Sequence, residues 1–169
     1  MPFEKVPFGS IEAFNVVVEV PAGGQKKYEY DPEINAIRLD KVLYGREKFP
    51  LNYGHIPQTF AHDDGLLDAF VFSTYPITTG TVVACRTIGI LKVTDEGKKD
   101  DKILAVAIAE TGLEHLQDIA DIPKDQLKSI EDFYKMLPQA WNKNISYTEI
   151  LGKNEAVKEL QAAWKFSED

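Results

Sequence analysis

Three segments organise this chain: FPLNYGHIP at residues 49–57, HDDGLLD at residues 62–68 and TDEGKKDDK at residues 94–102. The second and third segments are acidic and fall on separate predicted loops. Carboxylates that converge from separate loops are oxygen ligands, which suit Mg²⁺ or Mn²⁺ far better than Zn²⁺. The pattern therefore indicates a metal and phosphate site. Taken singly, each acidic segment is also typical of an ordinary solvated turn.

Composition predicts one domain and restricts the class of partner. A chain of 169 residues with 44% hydrophobic content is sufficient for one substantial core, so residues 1–169 are predicted to form a single domain. The net charge of -8 and the pI near 4.9 disfavour nucleic acid and anionic membrane as partners. The single cysteine, Cys85, excludes a disulfide within the chain. No apolar run approaches the roughly 20 residues of a membrane span, and we expect a cytoplasmic protein.

Short β-branched runs separated by turn signals predict a mainly β fold. Gly89 interrupts the longest run and predicts a bulge or a sharp bend there. Many short strands with turns between them favour a closed antiparallel barrel. The predicted strands cover residues 14–20, 27–31, 36–39, 67–72, 81–94 and 103–109.

Two later segments have a helical period instead. Apolar residues recur every three to four positions, which predicts two amphipathic helices packed on the barrel. These residues are Leu127, Ile130, Phe133 and Leu137 in the first helix, and Val157, Leu160 and Trp164 in the second.

Several polar residues are candidates for the site on chemical grounds. Glu19 lies within a valine-rich strand, and an unpaired buried carboxylate is costly enough to demand a partner. Lys27 and Lys41 are candidate partners or phosphate ligands. Tyr53 and Tyr134 could donate to phosphate oxygens, although packing is the commoner role of such tyrosines. The three histidines lack metal-ligand spacing, and we assign them no catalytic role.

The order of these motifs resembles that of a family I soluble inorganic pyrophosphatase of the short prokaryotic type, along nearly the whole chain. The resemblance implies a five-stranded OB-like barrel with flanking helices, commonly a homohexamer, that uses Mg²⁺ to hydrolyse pyrophosphate to two phosphates. Mn²⁺ is the alternative metal. The matching segments are VVEVP at 17–21, KYE at 27–29, FPLNYG at 49–54, YP at 75–76, GILK at 89–92, TDE at 94–96, Asp100 with Lys102, and FYK at 133–135.

The resemblance also implies roles for individual residues. Two or more metal ions would lower the pKa of a bridging water, while lysines and tyrosines offset the charge of the phosphates. The implied metal ligands are Asp63, Asp68, Asp95 and Asp100, with Glu19 acting directly or through water. The implied phosphate ligands are Lys27, Lys41, Tyr53, Lys102, Tyr134 and Lys135.

The chain departs from the family pattern at the residue that activates water. The family loop runs Asp-x-Asp-Pro-x-Asp, and its middle aspartate, which orients the water and accepts its proton, is replaced here by Gly65. Either Asp64 substitutes as the base, or metal-activated water reacts without one. Lys41 stands in place of a family arginine and lacks its bidentate fork. Phe49 stands in place of a family tyrosine, and no counterpart of a further lysine is evident near Trp141.

Two function classes follow, and a third is disfavoured. The leading hypothesis is an active inorganic diphosphatase with reduced activity or an altered metal preference. The alternative is a catalytically weak or inactive homologue that binds phosphate compounds or a protein partner. An oligonucleotide-binding barrel is disfavoured, because the chain is acidic and lacks a basic stripe lined by aromatic residues.

Overall fold

Nine strands and two α-helices make up the part of the chain that the computed structural model describes, residues 3–61 and 65–168, with side chains described up to residue 164. Short 3₁₀ turns cover Phe3–Lys5, Thr111–Leu113 and Ile119–Asp121. The helices are α1 (Lys124–Trp141) and α2 (Lys153–Glu168). The strands are β1 (Phe14–Val20), β2 (Lys26–Asp31), β3 (Ala36–Val42), β4 (Asn52–Ile56), β5 (Leu67–Phe72), β6 (Val82–Asp95), β7 (Lys98–Lys99), β8 (Lys102–Ala107) and β9 (Ile145–Gly152).

Five of the strands close into a ring. The order is β1-β4-β5-β8-β6, and β6 pairs with β1 again through the register Phe14↔Cys85 to Val17↔Val82. This arrangement, with two helices, is consistent with the predicted OB-like fold. One pair differs from the antiparallel prediction, because β5 and β8 run parallel. A parallel pair needs a long crossover, and the chain between the two strands, which includes β6, supplies it.

The ring strands β1, β5 and β8 are buried on both faces, which explains their nearly continuous apolar sequences. Adjacent residues of β5, Ala69 and Phe70, belong to different hydrophobic clusters because neighbouring side chains point to opposite faces of a strand. Residues Ile130 and Phe133 of α1 join the cluster of Phe70, whereas Leu160 of α2 joins the cluster of Ala69. The two predicted amphipathic helices are thereby confirmed.

The bulge predicted at Gly89 is confirmed by a shift of the β6–β8 register between Thr87 and Gly89. Cys85, in the same strand, is fully buried, and burial raises the pKa of its thiol well above the usual range. Within residues 3–61 and 65–168, no helix is long and apolar enough to cross a membrane.

Three strands are absent from the sequence prediction, namely β4, β9 and the two-residue β7, which lies in the second acidic segment. β4 was not predicted, because its sequence NYGHI mixes polar residues and glycine, yet all five residues are buried. Gly54 is required there, since a Cβ atom at this position would lie 2.1 Å from the Val17 carbonyl oxygen. β9 was also not predicted, and it pairs with β6 from Ile145↔Asp95 to Gly152↔Gly89. In addition, β3 continues through Val42 and pairs with β2 as a separate hairpin.

Candidate active site

A small pocket of about 60 Å³ lies where the β2–β3 hairpin, the ring and the end of α1 meet. Its described lining contains four lysines but only two aspartates, which favours an anionic ligand. The lining residues are Lys27, Lys41, Phe49, Tyr53, Val93, Asp95, Asp100, Lys102, Phe133, Tyr134, Leu137, Trp141, Lys143 and Ile145.

A hydrogen-bonded network of four predicted residues forms one side of the site. Asp68 and Lys102 pair in register at the start of the parallel β5–β8 strands. The Lys102 ammonium donates to Asp68 Oδ2 at 3.0 Å and to Asp100 Oδ2 at 2.9 Å. The Tyr53 hydroxyl donates to the same Asp68 oxygen at 2.7 Å. The buried lysine therefore holds the two aspartates close together.

The protonation states in this network follow from burial and charge. Burial opposes the charge of Lys102, but the neighbouring Tyr53, Asp68 and Asp100 raise its pKa well above the ordinary value. Burial, with a smaller contribution from Asp68, raises the pKa of Tyr53. Burial likewise raises the pKa of Tyr134. At neutral pH the site thus presents an ammonium group and two phenols that keep their protons.

Asp95 contributes a carboxylate with one satisfied and one unsatisfied oxygen. The Lys143 ammonium donates to Asp95 Oδ2 at 3.2 Å. Asp95 Oδ1 is buried and has no hydrogen-bond partner among the described residues. A buried carboxylate oxygen without a partner is costly, so this position is suited to a cation or to a donor that arrives with a ligand.

Sequence reasoning missed Lys143 as a site residue. Helix α1 ends at Trp141, and Asn142 adopts a left-handed conformation with φ 50° and ψ 50°. The chain then turns back, and the Asn144 carbonyl accepts a hydrogen bond from the Glu96 amide beside Asp95. Asparagine is one of the few residues that readily end a helix in this way, so Asn142 was the available signal.

The β2–β3 hairpin brings two more predicted phosphate ligands to the pocket. Lys27 and Lys41 pair across the hairpin, and both line the pocket. The Lys27 ammonium lies 2.8 Å from Asp40 Oδ2 and 4.0 Å from Glu29 Oε2. Burial opposes its charge, but Glu29 and Asp40 raise the pKa of Lys27 above its ordinary value.

Some predicted residues lie away from this lining. Glu19 is buried beneath the hairpin, where its Oε2 accepts a hydrogen bond from the Tyr30 amide and lies 3.5 Å from His55 Nδ1. Lys135 is exposed on α1 and does not appear in the described lining. Gly65 is exposed and lines a different groove of about 730 Å³.

The predicted convergence of Asp63, Asp68, Asp95 and Asp100 on one metal site stays a prediction. Asp63 and Asp64 lie outside the described residues. Within residues 3–61 and 65–168, no three His, Cys, Asp or Glu side chains form a ready metal site. The donor chemistry nevertheless fits a hard cation, since carboxylate oxygens are what Mg²⁺ prefers and Asp95 Oδ1 lacks a partner.

Comparison with known proteins shows similarity along most of the chain. A family model described as inorganic pyrophosphatase matches residues 16–168. The inorganic pyrophosphatase of Thermus thermophilus is 40% identical over 154 residues, which are 89% of this chain and 88% of that protein. Soluble inorganic pyrophosphatase 1 of Arabidopsis thaliana is 34% identical over 153 residues, 90% of this chain and 72% of that one. A crystal structure of the Thermus thermophilus inorganic pyrophosphatase matches with a TM-score of 0.94 and 36% identity, covering 100% of both chains.

Proposed function

The chain belongs to the inorganic pyrophosphatase family, and we propose that its lysine-lined pocket hydrolyses inorganic pyrophosphate to two phosphates. The observation that carries this proposal is the combination of four lysines in one pocket, one of which, Lys102, holds the carboxylates of Asp68 and Asp100 together at its side. In the reaction, water attacks one phosphorus atom, the bond from that atom to the bridging oxygen breaks, and the bridging oxygen leaves with the other phosphate.

The lysines bind and orient the substrate. Pyrophosphate carries several negative charges, and Lys27, Lys41 and Lys143 approach the pocket from the hairpin and from the end of α1. Lys102 stays protonated because its acidic neighbours raise its pKa, so it offsets charge on the leaving phosphate. Tyr53 and Tyr134 keep their protons and serve as donors to phosphate oxygens. Lys135, which is exposed on α1, is a further proposed ligand of substrate or product phosphate.

Divalent metal is held by carboxylates of the same site. Asp68, Asp95 and Asp100, together with Asp63, are the proposed ligands, and Glu19 supports them from beneath the hairpin. Mg²⁺ is the proposed metal, with Mn²⁺ as the alternative. When bound, such an ion lowers the pKa of a coordinated water and stabilises charge on phosphoryl oxygens.

The site differs most from the family pattern at the group that accepts the proton of the attacking water. Gly65 has no side chain for this role. Asp64 is the neighbouring carboxylate and is the proposed substitute, whereas metal-activated water that needs no protein base is the other route. The two routes predict different rates for variants of this loop.

A cytoplasmic homohexamer is the proposed assembly. Large apolar side chains remain exposed in the single chain and offer area for contacts between subunits. They include Ile34, Leu39, Tyr44, Phe60 and Tyr75, whose exposed fractions range from 53% to 83%. Sedimentation velocity distinguishes a hexamer from a monomer directly.

The decisive experiment measures phosphate release from pyrophosphate with Mg²⁺ and with Mn²⁺ side by side. We expect turnover with Mg²⁺ and none in the presence of excess chelator. If neither metal supports turnover above the buffer rate, the chain is a binding-only homologue and the proposed activity is wrong.

A further inference from the structure

Two residues that line the pocket each carry a buried polar atom with no hydrogen-bond partner in the described part of the chain. One is the acceptor Asp95 Oδ1, and the other is the donor Trp141 Nε1. A third such atom among the described side chains, His55 Nδ1, lies beneath the hairpin instead. Native proteins satisfy most buried polar groups, so two such atoms on residues lining one pocket indicate groups that are satisfied by a ligand.

The position of Trp141 is well defined by its neighbours. It is the last residue of α1, directly before the left-handed Asn142 that turns the chain toward Lys143. Its ring packs on Phe49 with a centroid separation of 6.4 Å. The Lys27 ammonium lies 5.8 Å from the centroid of the indole ring. The indole is thus fixed against the same wall that carries the pocket lysines.

A phenylalanine ring in place of Trp141 would pack here without leaving a buried polar atom unpaired. Phe49 and Phe133 already line the same pocket with purely apolar rings. The buried N–H of Trp141 costs stability as long as it is unpaired, because it gave up hydrogen bonds to water. Lys27, over the indole ring, and Lys143, in the lining of the same pocket, are donors and cannot satisfy this N–H, whereas an anion that these lysines attract would supply the acceptor.

We propose that Trp141 is a further substrate-contacting residue, whose indole N–H donates a hydrogen bond to a phosphate oxygen of bound pyrophosphate or product phosphate. This inference rests on the proposed function of the pocket. Indole nitrogen donates only and cannot accept, so it favours an ionised phosphoryl oxygen over a protonated one. Trp141 therefore adds affinity for the fully ionised form of the ligand.

The test compares Trp141→Phe with Trp164→Phe, the matching change at the only other tryptophan. Trp164 stacks on Phe8 at 4.7 Å and lines the larger groove beside Gly65. Binding of methylenediphosphonate, a non-hydrolysable pyrophosphate analogue, is measured by calorimetry with Mg²⁺ present. We expect affinity to fall about 10- to 100-fold in Trp141→Phe, as for the loss of a hydrogen bond to a charged group, and to stay unchanged in Trp164→Phe.

Thermal melting without ligand separates this role from a structural one. Removal of an unpaired donor should leave the melting temperature of Trp141→Phe unchanged or slightly higher. Unchanged analogue affinity in Trp141→Phe overturns the inference, as does an equal loss in both variants. A wild type that binds the analogue but releases no phosphate from pyrophosphate disproves the proposed activity. The analogue affinities of wild type, Trp141→Phe and Trp164→Phe then still decide whether Trp141 contacts the ligand.

Fluorescence provides a second readout if Trp141→Phe fails to fold. In Trp164→Phe the emission comes from Trp141 alone among tryptophans. Titration with inorganic phosphate should change the intensity or wavelength of this emission at saturation. An unaltered spectrum at saturating phosphate, established by calorimetry on the same sample, contradicts the contact.

Discussion

Asp68 and Lys102 face each other across the parallel β5–β8 pair, with the Lys102 ammonium 3.0 Å from the Asp68 carboxylate. The same ammonium is 2.9 Å from Asp100, so one buried cation separates two carboxylates that would otherwise repel each other. Only 5% of Lys102 is exposed to solvent, and water therefore screens this repulsion weakly. The stability of the strand ring therefore depends on the positive charge of Lys102 between the two carboxylates.

Lys102→Met should reduce both stability and turnover. Removal of one partner of a buried ion pair typically costs about 3–5 kcal/mol, because the remaining charges lose their compensation. Urea unfolding at pH 7 without metal measures the change in the free energy of unfolding. Lys98→Met, at an exposed lysine of β7, is the control and should match the wild type. A Lys102→Met variant as stable as that control would show that the pair contributes nothing net.

Asp68→Ala should abolish hydrolysis and also the stabilisation by Mg²⁺. A metal that binds only the folded protein raises its melting temperature, and loss of a ligand removes that linkage. Melting curves with and without Mg²⁺ measure the effect, with Asp132→Ala on the exposed face of α1 as the control. A Mg²⁺-induced shift equal to that of the wild type would exclude Asp68 as a ligand.

Asp64→Asn and Gly65→Asp distinguish the two routes of water activation. If Asp64 is the base, Asp64→Asn should lower the rate of phosphate release by about 10²–10⁴-fold, as for the loss of a general base. If metal-activated water reacts unaided, that variant should retain the wild-type rate. Gly65→Asp restores the residue found in the family pattern and should raise turnover. An inert Gly65→Asp together with an inactive wild type would favour the binding-only homologue.

Lys41→Arg should tighten the binding of substrate. Arginine offers two parallel N–H donors to a phosphate group, whereas lysine offers a single point charge. Steady-state hydrolysis should give a lower KM for pyrophosphate, and Lys41→Met should give a higher one. Equal KM values for all three proteins would show that residue 41 does not contact the substrate.

Asp40 gives a prediction about acid stability. Its partial burial opposes ionisation, but hydrogen bonding and charge from Lys27, with Lys41 and Lys143, lower its pKa below the ordinary 3.8. A lowered folded-state pKa stabilises the fold above the unfolded-state value, and this contribution is lost as pH falls through the folded-state value. Asp40→Asn should therefore cost about 0.5–1 kcal/mol at pH 7, and the difference from wild type should vanish in strong acid.

Chemical unfolding of wild type and Asp40→Asn at a series of pH values measures this difference. Glu33→Gln, at an exposed position in the β2–β3 turn, is the control. A cost for Asp40→Asn that stays constant from neutral pH to strong acid would assign the effect to packing, not to charge.

The parts of the fold that could be predicted are those where apolar spacing is unambiguous. β1 and β6 are long and β-branched, and both helices have a clear period of three to four residues. β4 escaped prediction because buried polar residues interrupt its apolar pattern, and a partner such as the Val71 carbonyl, which accepts from the Asn52 amide, is visible only in the fold. The parallel direction of β8 depends on the path of the whole chain, and local sequence cannot report it.

In the candidate site, too, some residues could be predicted from the sequence and others depend on the tertiary structure. Tyr53, Asp68, Asp100 and Lys102 could be selected from motif order, and the structure joins them in one network. Lys143 was not selected, since Asn142 signals only the end of α1, whereas the contact of Lys143 with Asp95 also depends on the pairing of β9 with β6. Its placement is a property of tertiary structure.

The order of the elements along the chain also has a consequence for when the phosphate site is completed during synthesis. All five ring strands lie before residue 108, so a growing chain contains the whole ring more than 30 residues before Trp141 is added. Trp141 and Lys143 come later, and the anion pocket lacks that wall until they are added. A ribosome-bound chain that stops after β8 should therefore have a ring but no competent phosphate site, and turnover should begin only after Trp141 and Lys143 have been added.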